Sequence, residues 1–230
     1  MNEERLGEAR QDARREAAPF GAVAVCALVA LAALSRANHW ELLGHDIWWL
    51  WLVVAAPLLA LTLRFLVGLG RVDQESGRAF SLVLLAAVGL GNGLGVVVLV
   101  LSLAGVGASR PPSGAQLLVS GFVVLLTNVV TYALVFWELD MGGPIARALA
   151  DERTTPDFQF PQDENLQLAA SGWEPRLLDY AYVALTNSTA FSPTDAMPLS
   201  RTAKVLMALE SLLSVTTVLI VAARAVNVLK

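Results

Sequence analysis

The segment from Ala79 to Ser109 contains no Asp, Glu, Lys or Arg. An uncharged run of this length exceeds the roughly 20 residues that an α-helix needs to cross the hydrocarbon core of a bilayer. Soluble domains are usually about one quarter charged. In this chain 16% of the residues are charged and 56% are hydrophobic. The sequence therefore predicts an integral membrane protein whose solvent and partner is the lipid bilayer.

Four other apolar runs have a similar composition, and the first of them is close to the lower length limit for a span. Three tryptophans, Trp48, Trp49 and Trp51, open the second run and mark one membrane interface, because indole rings favour the headgroup region. Together with the third span at residues 79–107, these runs predict an all-α, polytopic membrane helix bundle with about five spans. The four runs cover residues 18–34, 47–69, 115–137 and 202–228.

The remaining apolar segment, residues 177–191, is too polar for an ordinary span because it carries Asp179, Thr186, Asn187 and Ser188. We expect a short re-entrant or buried helix followed by non-helical backbone. Such backbone is tolerated at membrane depth only where protein or a wet cavity shields it. Whether this segment crosses the membrane or turns back is left open by the sequence.

The predicted organisation has four parts. The first part, the N-terminal tail at residues 1–17, alternates acids and arginines without an apolar face, so we expect a solvated helix or a disordered segment. Cys26, the single cysteine, is expected to be a small core residue. The parts are a charged N-terminal tail at 1–17, a four-span bundle at 18–137, a polar connection at 138–176, and a re-entrant pore-like helix-loop with the final membrane helix at 177–230.

Charge asymmetry predicts the orientation, because cytoplasmic loops of membrane proteins are enriched in Lys and Arg. With a cytoplasmic N-terminus, the tail, the second loop and the connection at 138–176 hold most of the arginines on the inner side. The outer side then receives Arg36 and Arg110. The C-terminus lies outside if 177–195 turns back, and inside if it crosses.

Several function classes have no support in the sequence. A net charge of −4 does not favour a nucleic-acid partner. His39 and His45 lack the spacing of metal ligands and are expected to be interfacial polar residues. No Ser-His-Asp, Cys-His or paired-carboxylate pattern is present, so we expect no enzyme activity, cofactor or metal.

Polar residues within the spans are interpreted first as packing devices. Gly91 and Gly95 have the small-xxx-small spacing that lets membrane helices approach closely, and Asn92 between them is expected to bond a neighbouring helix. Thr127, Asn128 and Thr131 in the fourth span have the same interpretation, with a polar substrate path as the alternative. Glu138 and Asp140, which end that span, are expected to be solvated, with cation binding as the alternative.

Glu210 is the most informative single charge, because it lies about two turns into the last span. Ionisable groups at that depth are costly and usually face a bundle interior or a cavity. Ser211, Ser214 and Thr217 continue a polar stripe from it along the helix. The alternative is an ion pair between Glu210 and Arg201, Lys204 or a loop arginine.

The C-terminal quarter resembles the pore-helix, filter and inner-helix unit of two-helix potassium channels. Tyr180 and Tyr182 match the aromatic pore helix, and Pro198 and Arg201 match the step before the inner helix. The segment 188–193 falls where the filter would be. Both filter glycines are replaced there, by Ala190 and Ser192, which disfavours potassium-type selectivity. In such channels the pore loop enters from outside, whereas the charge count places the connection at 138–176 inside.

Over residues 47–227 the chain is also similar to an uncharacterised, domain-of-unknown-function family of small bacterial multi-pass inner-membrane proteins. The shared features include an Asp-Phe-x-Phe-Pro stretch at 157–161 and an Asp-Tyr-x-Tyr-x-Ala-x-Thr helix at 179–186. This resemblance implies a bacterial cytoplasmic membrane location and brings no established activity.

The leading function hypothesis is a channel-like or degenerate-pore protein, assembled as a homo-oligomer, with a monovalent cation as the candidate ion. The alternatives are a non-conducting structural or accessory subunit, in which Asp179 and Asp195 cap helices, and a small proton-coupled transporter that depends on Glu210. The candidate pore and ion-path residues are Asp179, Thr186, Asn187, Ser188, Thr189, Phe191, Asp195 and Glu210.

Overall fold

A computed structural model describes residues 3–67, 74–104, 113–150, 155–165, 167, 169–190 and 196–228. Within these ranges the chain is almost entirely helical. The helices are α1 (Glu3–Ala37), α2 (Trp48–Val67), α3 (Gln74–Leu103), α4 (Gly114–Leu139), α5 (Pro144–Leu149), α6 (Pro161–Glu164), α7 (Leu177–Ala190) and α8 (Arg201–Val228). A short 3₁₀ turn, Asp140–Gly142, joins α4 to α5.

Two short antiparallel pairs complete the described structure. The strands β1 (Glu41–Leu42) and β2 (His45–Asp46) form a hairpin between α1 and α2. The strands β3 (Phe158–Gln159) and β4 (Met197–Pro198) pair Phe158 with Pro198 across the chain. The second pair therefore ties the connection after α4 to the start of α8.

Among the described residues, α1, α3, α4 and α8 are long and apolar enough to cross a membrane. The apolar part of α2, Trp48–Arg64, is shorter. Large apolar side chains such as Leu90, Phe122 and Leu212 are exposed on the outside of the bundle, where lipid rather than water would cover them. The expected all-α membrane helix bundle is confirmed, and the protein is membrane-embedded.

The N-terminal tail differs from its prediction, because it is the first part of α1 and has a buried face. Ala9, Ala13 and Ala17 are buried at four-residue spacing on α1, a helix that contacts α2, α4 and α5. Alanine is a weak hydrophobic signal, so a face made of single methyl groups is easily missed beside eight charged neighbours that point outward. Cys26 further along α1 is exposed rather than buried, which corrects the expectation that it is a core residue.

Helix α4 is the centre of the bundle and contacts α1, α3, α7 and α8. Its contact with α3 includes hydrogen bonds at membrane depth. The hydroxyl of Thr127 donates to Asn92 Oδ1 at 3.1 Å, and Asn92 Nδ2 donates to the hydroxyl of Thr131 at 3.2 Å. The predicted interhelical bonding of Asn92 and of the fourth-span threonines is confirmed.

Close helix approach at the glycines of α3 is also confirmed. A Cβ atom added to Gly91 would lie 3.0 Å from a methyl group of Val54 on α2. One added to Gly95 would lie 3.3 Å from a methyl group of Val124 on α4. Both glycines therefore allow neighbouring helices to pack more closely than alanine would.

Gly121 on α4 makes the tightest approach to α8, because a Cβ there would overlap a methyl group of Val221. We expect Gly121→Ala to lower the free energy of unfolding by about 1–3 kcal/mol, since the stiff β-branched Val221 cannot move aside without shifting a helix. The measurement is a denaturant titration in mixed micelles. Gly89→Ala is the matched control, because a Cβ at Gly89 meets nothing within 4 Å. Equal stability of the two variants would contradict the close α4–α8 packing.

Helices α7 and α8 begin at the same end of the bundle, where α4 ends. The Tyr180 hydroxyl near the start of α7 donates to Asp140 just after α4, at 2.6 Å. The Leu199 N–H just before α8 donates to the carbonyl of Asp157 at 2.8 Å. The N–H of Asp157 in turn donates to Asp140, at 2.6 Å.

The same two helices then run past α4 in the antiparallel sense and parallel to each other. Asn128, three turns before the end of α4, donates to the hydroxyl of Ser214, about four turns into α8. Ser188, about three turns into α7, meets the same Ser214 hydroxyl at 2.9 Å. At 1.5 Å per residue α7 is only about 21 Å long, less than the roughly 30 Å hydrocarbon thickness. Helix α7 is therefore too short to cross the membrane, and α8 begins at the same end of the bundle as α7.

Candidate functional site

The position of α7 depends on Asp140, which is fully buried at the end of α4. Its Oδ1 accepts hydrogen bonds from the N–H groups of Asp157 and Phe158, at 2.6 and 3.3 Å. Its Oδ2 accepts one from the Tyr180 hydroxyl. The expectation that Glu138 and Asp140 are solvated is wrong, since both side chains are buried. Asp140 binds three donors of the protein itself, because the chain folds back over the end of α4.

Arg147 of α5 completes this anchor. Its Nη1 donates to the carbonyls of Trp137 and Asp140, at 2.9 and 2.8 Å. These carbonyls belong to the C-terminal end of α4, where the helix dipole favours a positive charge. The Arg147 guanidinium also lies 5.4 Å from the ring centre of Tyr180, in cation–π distance.

The turn between α4 and α5 requires glycine at 143. Gly143 has φ of +97°, and a Cβ on it would lie 2.8 Å from a carboxylate oxygen of Glu138. A left-handed backbone without a side chain is therefore needed to bring α5, with Arg147, back against α4.

The start of α7 is held by two carboxylates. Glu16 of α1 accepts a hydrogen bond from the N–H of Leu177 at 2.8 Å. Asp179 accepts one from the N–H of Arg176 at 2.7 Å. Negative charge at a helix N-terminus is favourable because the first N–H groups lack helical partners. The structure thus places Asp179 as a cap, away from the deeper candidate residues.

Deeper in the bundle, Glu210 joins α8 to α7. It is fully buried, and its carboxylate accepts hydrogen bonds from Asn187 Nδ2 at 2.6 Å and from the Ser188 hydroxyl at 3.0 Å. Arg201 and Lys204, the basic partners considered for it, are exposed instead. Within the ranges that the structure describes, no basic side chain lies in ion-pair distance of Glu210. Its donors are neutral.

The hydrogen bonds continue from Glu210 toward α4. The Ser211 hydroxyl donates to Asn187 Oδ1 at 3.1 Å, and the Ser214 hydroxyl donates to that of Ser188 at 2.9 Å. Asn128 Nδ2 donates to Ser214 at 3.0 Å. We name this set the central polar cluster; its members are Asn128, Asn187, Ser188, Glu210, Ser211 and Ser214. The cluster crosses the interior from α8 through α7 to α4.

One polar atom of the central polar cluster lacks a partner among the residues that the structure describes. Asn128 Oδ1 is buried and receives no hydrogen bond from the described residues. A buried acceptor of this kind costs free energy unless a water molecule or an ion binds it. The cluster therefore has one open position, on the α4 side.

Two other candidate residues of α7, Thr186 and Thr189, bond only to their own helix within the part of the chain that the structure describes. The Thr186 hydroxyl donates to the carbonyls of Tyr182 and Val183, and that of Thr189 donates to the carbonyl of Leu185 at 2.8 Å. Thr189 is exposed on the bundle surface. Phe191 and Asp195 lie outside the described residues.

Of the eight candidates, the structure brings Asn187, Ser188 and Glu210 into direct contact. Two residues that hold α7 in place, Asn128 and Tyr180, were not among the eight candidates. Asn128 had been interpreted as an interhelical donor, and Tyr180 as part of an aromatic helix. A signal for both was available, because buried Asn and Tyr in membrane helices need partners. Within the described chain, no group of three His, Cys, Asp or Glu side chains is arranged to bind a metal ion.

Comparisons with protein-family models, curated proteins and solved structures find no match for this chain. The resemblances to the channel pore unit and to the bacterial membrane family therefore stay predictions from the sequence.

Proposed function

We propose that this membrane protein is an ion-channel-like protein without potassium-type selectivity, in which α7 and its return to α8 form the pore element. The observation that carries the proposal is the parallel course of α7 and α8 from one end of the bundle. A pore element requires this arrangement, because it consists of a pore helix that enters halfway, a segment that returns and an inner helix that crosses. A simple helical hairpin would instead give antiparallel neighbours.

The direction of α7 favours a cation. A helix dipole places partial negative charge at the C-terminal end, where the last carbonyls lack helical partners. In α7 this end lies about 20 Å from the start of the helix, partway across the membrane. It is therefore aimed at the part of the membrane where a permeating cation loses the most hydration energy.

The candidate residues take two roles in this proposal. Asn187, Ser188 and Glu210 are positioning residues, because they bind one another and fix the depth of α7 against α8. Thr189, with Phe191 and Asp195 after it, would meet the ion or its water shell. In a homo-oligomer Thr189 reaches the axis through the exposed face of α7, which also carries Leu178, Tyr182 and Leu185.

We also propose that the end of the bundle holding the tail and the connection at 138–176 faces the cytoplasm of a bacterium. The support is the arginine excess of the segments gathered there, among them Arg14 on α1 and Arg147 on α5. A pore loop that enters from this side is inverted relative to that of potassium channels.

A second candidate function, a proton-coupled transporter, is favoured by the neutral partners of Glu210. A mid-membrane carboxylate without a described basic neighbour is costly when charged, so it is suited to accept and release a proton. The two functions differ in whether monovalent metal ions or only protons cross.

The proposal is tested by reconstituting the purified protein in liposomes and measuring potassium, sodium and proton flux with ion-sensitive dyes. We expect both potassium and sodium to cross at comparable rates. Asp195→Asn should lower the flux about threefold to tenfold, because it removes on the order of 1 kcal/mol of attraction for a nearby cation. Glu210→Gln should lower the flux as well, by loosening α7.

The matched control is Glu164→Gln, which removes an exposed carboxylate of α6 and should leave the flux unchanged. Absence of metal-ion flux would overturn the channel proposal and, if proton flux remained and Glu210→Gln abolished it, would favour the transporter. Absence of all flux would favour a non-conducting structural or accessory subunit. If neither Asp195→Asn nor Glu210→Gln changed the flux, the roles proposed for these two residues would be overturned.

A further inference from the structure

A cavity of about 640 Å³ opens at the end of the bundle opposite to the connection at 138–176. It lies between the end of α1, the β1–β2 hairpin, the start of α2, the end of α3 and the start of α4. Its rim includes the exposed residues Asn38, His39 and Ser113, and its inner wall includes the buried residues Leu99 and Leu117. The cavity therefore leads from the surface of the bundle into its interior.

Neutral polar side chains follow this cavity inward. Ser113, Gln116 and Ser120 line it from α4, at spacings of three and four residues that place them on one face of the helix. Ser102, near the end of α3, also lines it. Ser120 is only 4% exposed and lies about 9 Å along α4 from its start. The polar face of α4 therefore continues for nearly two turns below the rim.

The hydroxyls of Ser102 and Ser120 differ from those of the buried threonines. Thr62, Thr127 and Thr131 each donate to the carbonyl four residues earlier in their own helix. Ser102 and Ser120 make no such bond, and no other side-chain hydrogen bond to the residues that the structure describes. A buried hydroxyl without a partner costs free energy unless water or another polar molecule binds it. For Ser120 this molecule has to come through the cavity.

The opposite side of α4 shows what surrounds the protein at this level. Leu118, Val119 and Phe122 flank Ser120 in sequence and are between 39% and 65% exposed, on the surface that lipid would cover. Lipid tails offer no hydrogen bonds, so they are poor occupants of a cavity lined with hydroxyl and amide groups. At about 30 Å³ for each molecule, the cavity has room for on the order of 20 waters.

We propose that this cavity is a hydrated vestibule, which brings water and small hydrophilic solutes from the bundle surface to Ser102 and Ser120 at a level where lipid surrounds the protein. Hydroxyl and amide groups both donate and accept, so they match water and solutes that carry the same groups. The apolar inner wall of Leu99 and Leu117 limits how far the water enters. The vestibule does not depend on the proposed ion path, whose residues lie on and after α7 and on α8.

The test measures the accessibility of single cysteines to water, in the full chain in lipid nanodiscs. The native Cys26 is exposed, so it is first replaced in the background Cys26→Ser. Ser102→Cys and Ser120→Cys are then treated with a permanently charged methanethiosulfonate reagent, and labelling is followed by mass spectrometry. Phe122→Cys is the matched control, because Phe122 lies two residues from Ser120 and is 65% exposed on the outside of α4.

We expect both serine variants to react at least about tenfold faster than Phe122→Cys, because the reagent attacks the thiolate, which forms in water and not in lipid. The proposal is overturned if a folded Ser120→Cys protein reacts no faster than Phe122→Cys, even if Ser102→Cys does, because lipid or protein would then fill the cavity. Folding is checked by circular dichroism. Should Ser120→Cys fail to fold, Ser102→Cys decides, because Ser102 is only half-buried.

Discussion

Asp140→Ala is expected to lower the free energy of unfolding by about 3–5 kcal/mol, more than any other single substitution proposed for this chain. Alanine leaves the N–H groups of Asp157 and Phe158 and the Tyr180 hydroxyl without an acceptor. Phe158 and Tyr180 are buried and Asp157 is half-buried, so water replaces the lost acceptor poorly. The measurement is unfolding by sodium dodecyl sulfate in mixed micelles, followed by circular dichroism.

The Asp140→Asn variant distinguishes the contribution of the hydrogen-bond acceptor from that of the negative charge. Asparagine keeps one carbonyl oxygen but presents an amide N–H₂ to donors that need an acceptor, so we expect a loss between those of wild type and Asp140→Ala. Glu164→Ala, at an exposed site of α6, is the stability control. An Asp140→Ala protein as stable as this control would show that Asp140 does not hold the connection over α4.

Glu210→Ala is expected to lower the free energy of unfolding by about 1–3 kcal/mol, since interhelical hydrogen bonds in membranes contribute roughly 0.6–2 kcal/mol each. The substitution removes the acceptor of the Ser188 hydroxyl and one of the two acceptors of Asn187 Nδ2. The measurement is again denaturant titration, as a double-mutant cycle with Ser188→Ala. A coupling energy of about 0.6–1.7 kcal/mol is expected between the two sites.

The combined variant Glu210→Leu, Asn187→Leu, Ser188→Ala gives a sharper test of the same contact. The variant removes the three groups that bond one another between α7 and α8, while Ser211 keeps the Asn187 carbonyl and Ser214 keeps Asn128 as partners. Removing bonded groups together costs less than leaving one of them unpaired. We expect the combined variant to be at least as stable as Glu210→Ala alone. A larger loss in the combined variant would mean that these residues act by shape rather than by hydrogen bonding.

The membrane spans are predictable because their signal is local. A run without charges such as residues 79–102 specifies a helix in lipid whatever its neighbours are. The part of α1 before Pro19 is not predictable in this way, because its buried face consists of alanines. An alanine face becomes recognisable only when the helices that pack against it are known, and α1 contacts α2, α4 and α5.

The candidate site was predictable in part. The spacing of Glu210, Ser214 and Thr217 places them on one face of α8, and the structure buries all three. The choice of Asn187 and Ser188 over Arg201 or Lys204 as partners of Glu210 depends on the relative depth of α7 and α8. That depth is set by contacts far apart in sequence, such as the pairing of β3 with β4 and the hydrogen bonds of Asp140. No local pattern encodes it.

The hydrogen bond from Leu177 to Glu16 joins residues 161 positions apart and ties the first helix, α1, to the start of α7. During synthesis Glu16 is therefore translated long before its hydrogen-bond donor, the N–H of Leu177. When the first span inserts into the bilayer, the Glu16 carboxylate has only water as a partner. Its hydrogen bond to Leu177 can form only after α7 has been synthesised. Removal of residues 1–16 would take away the acceptor of the Leu177 N–H, and removal of the chain from α7 onward would take away the donor to Glu16.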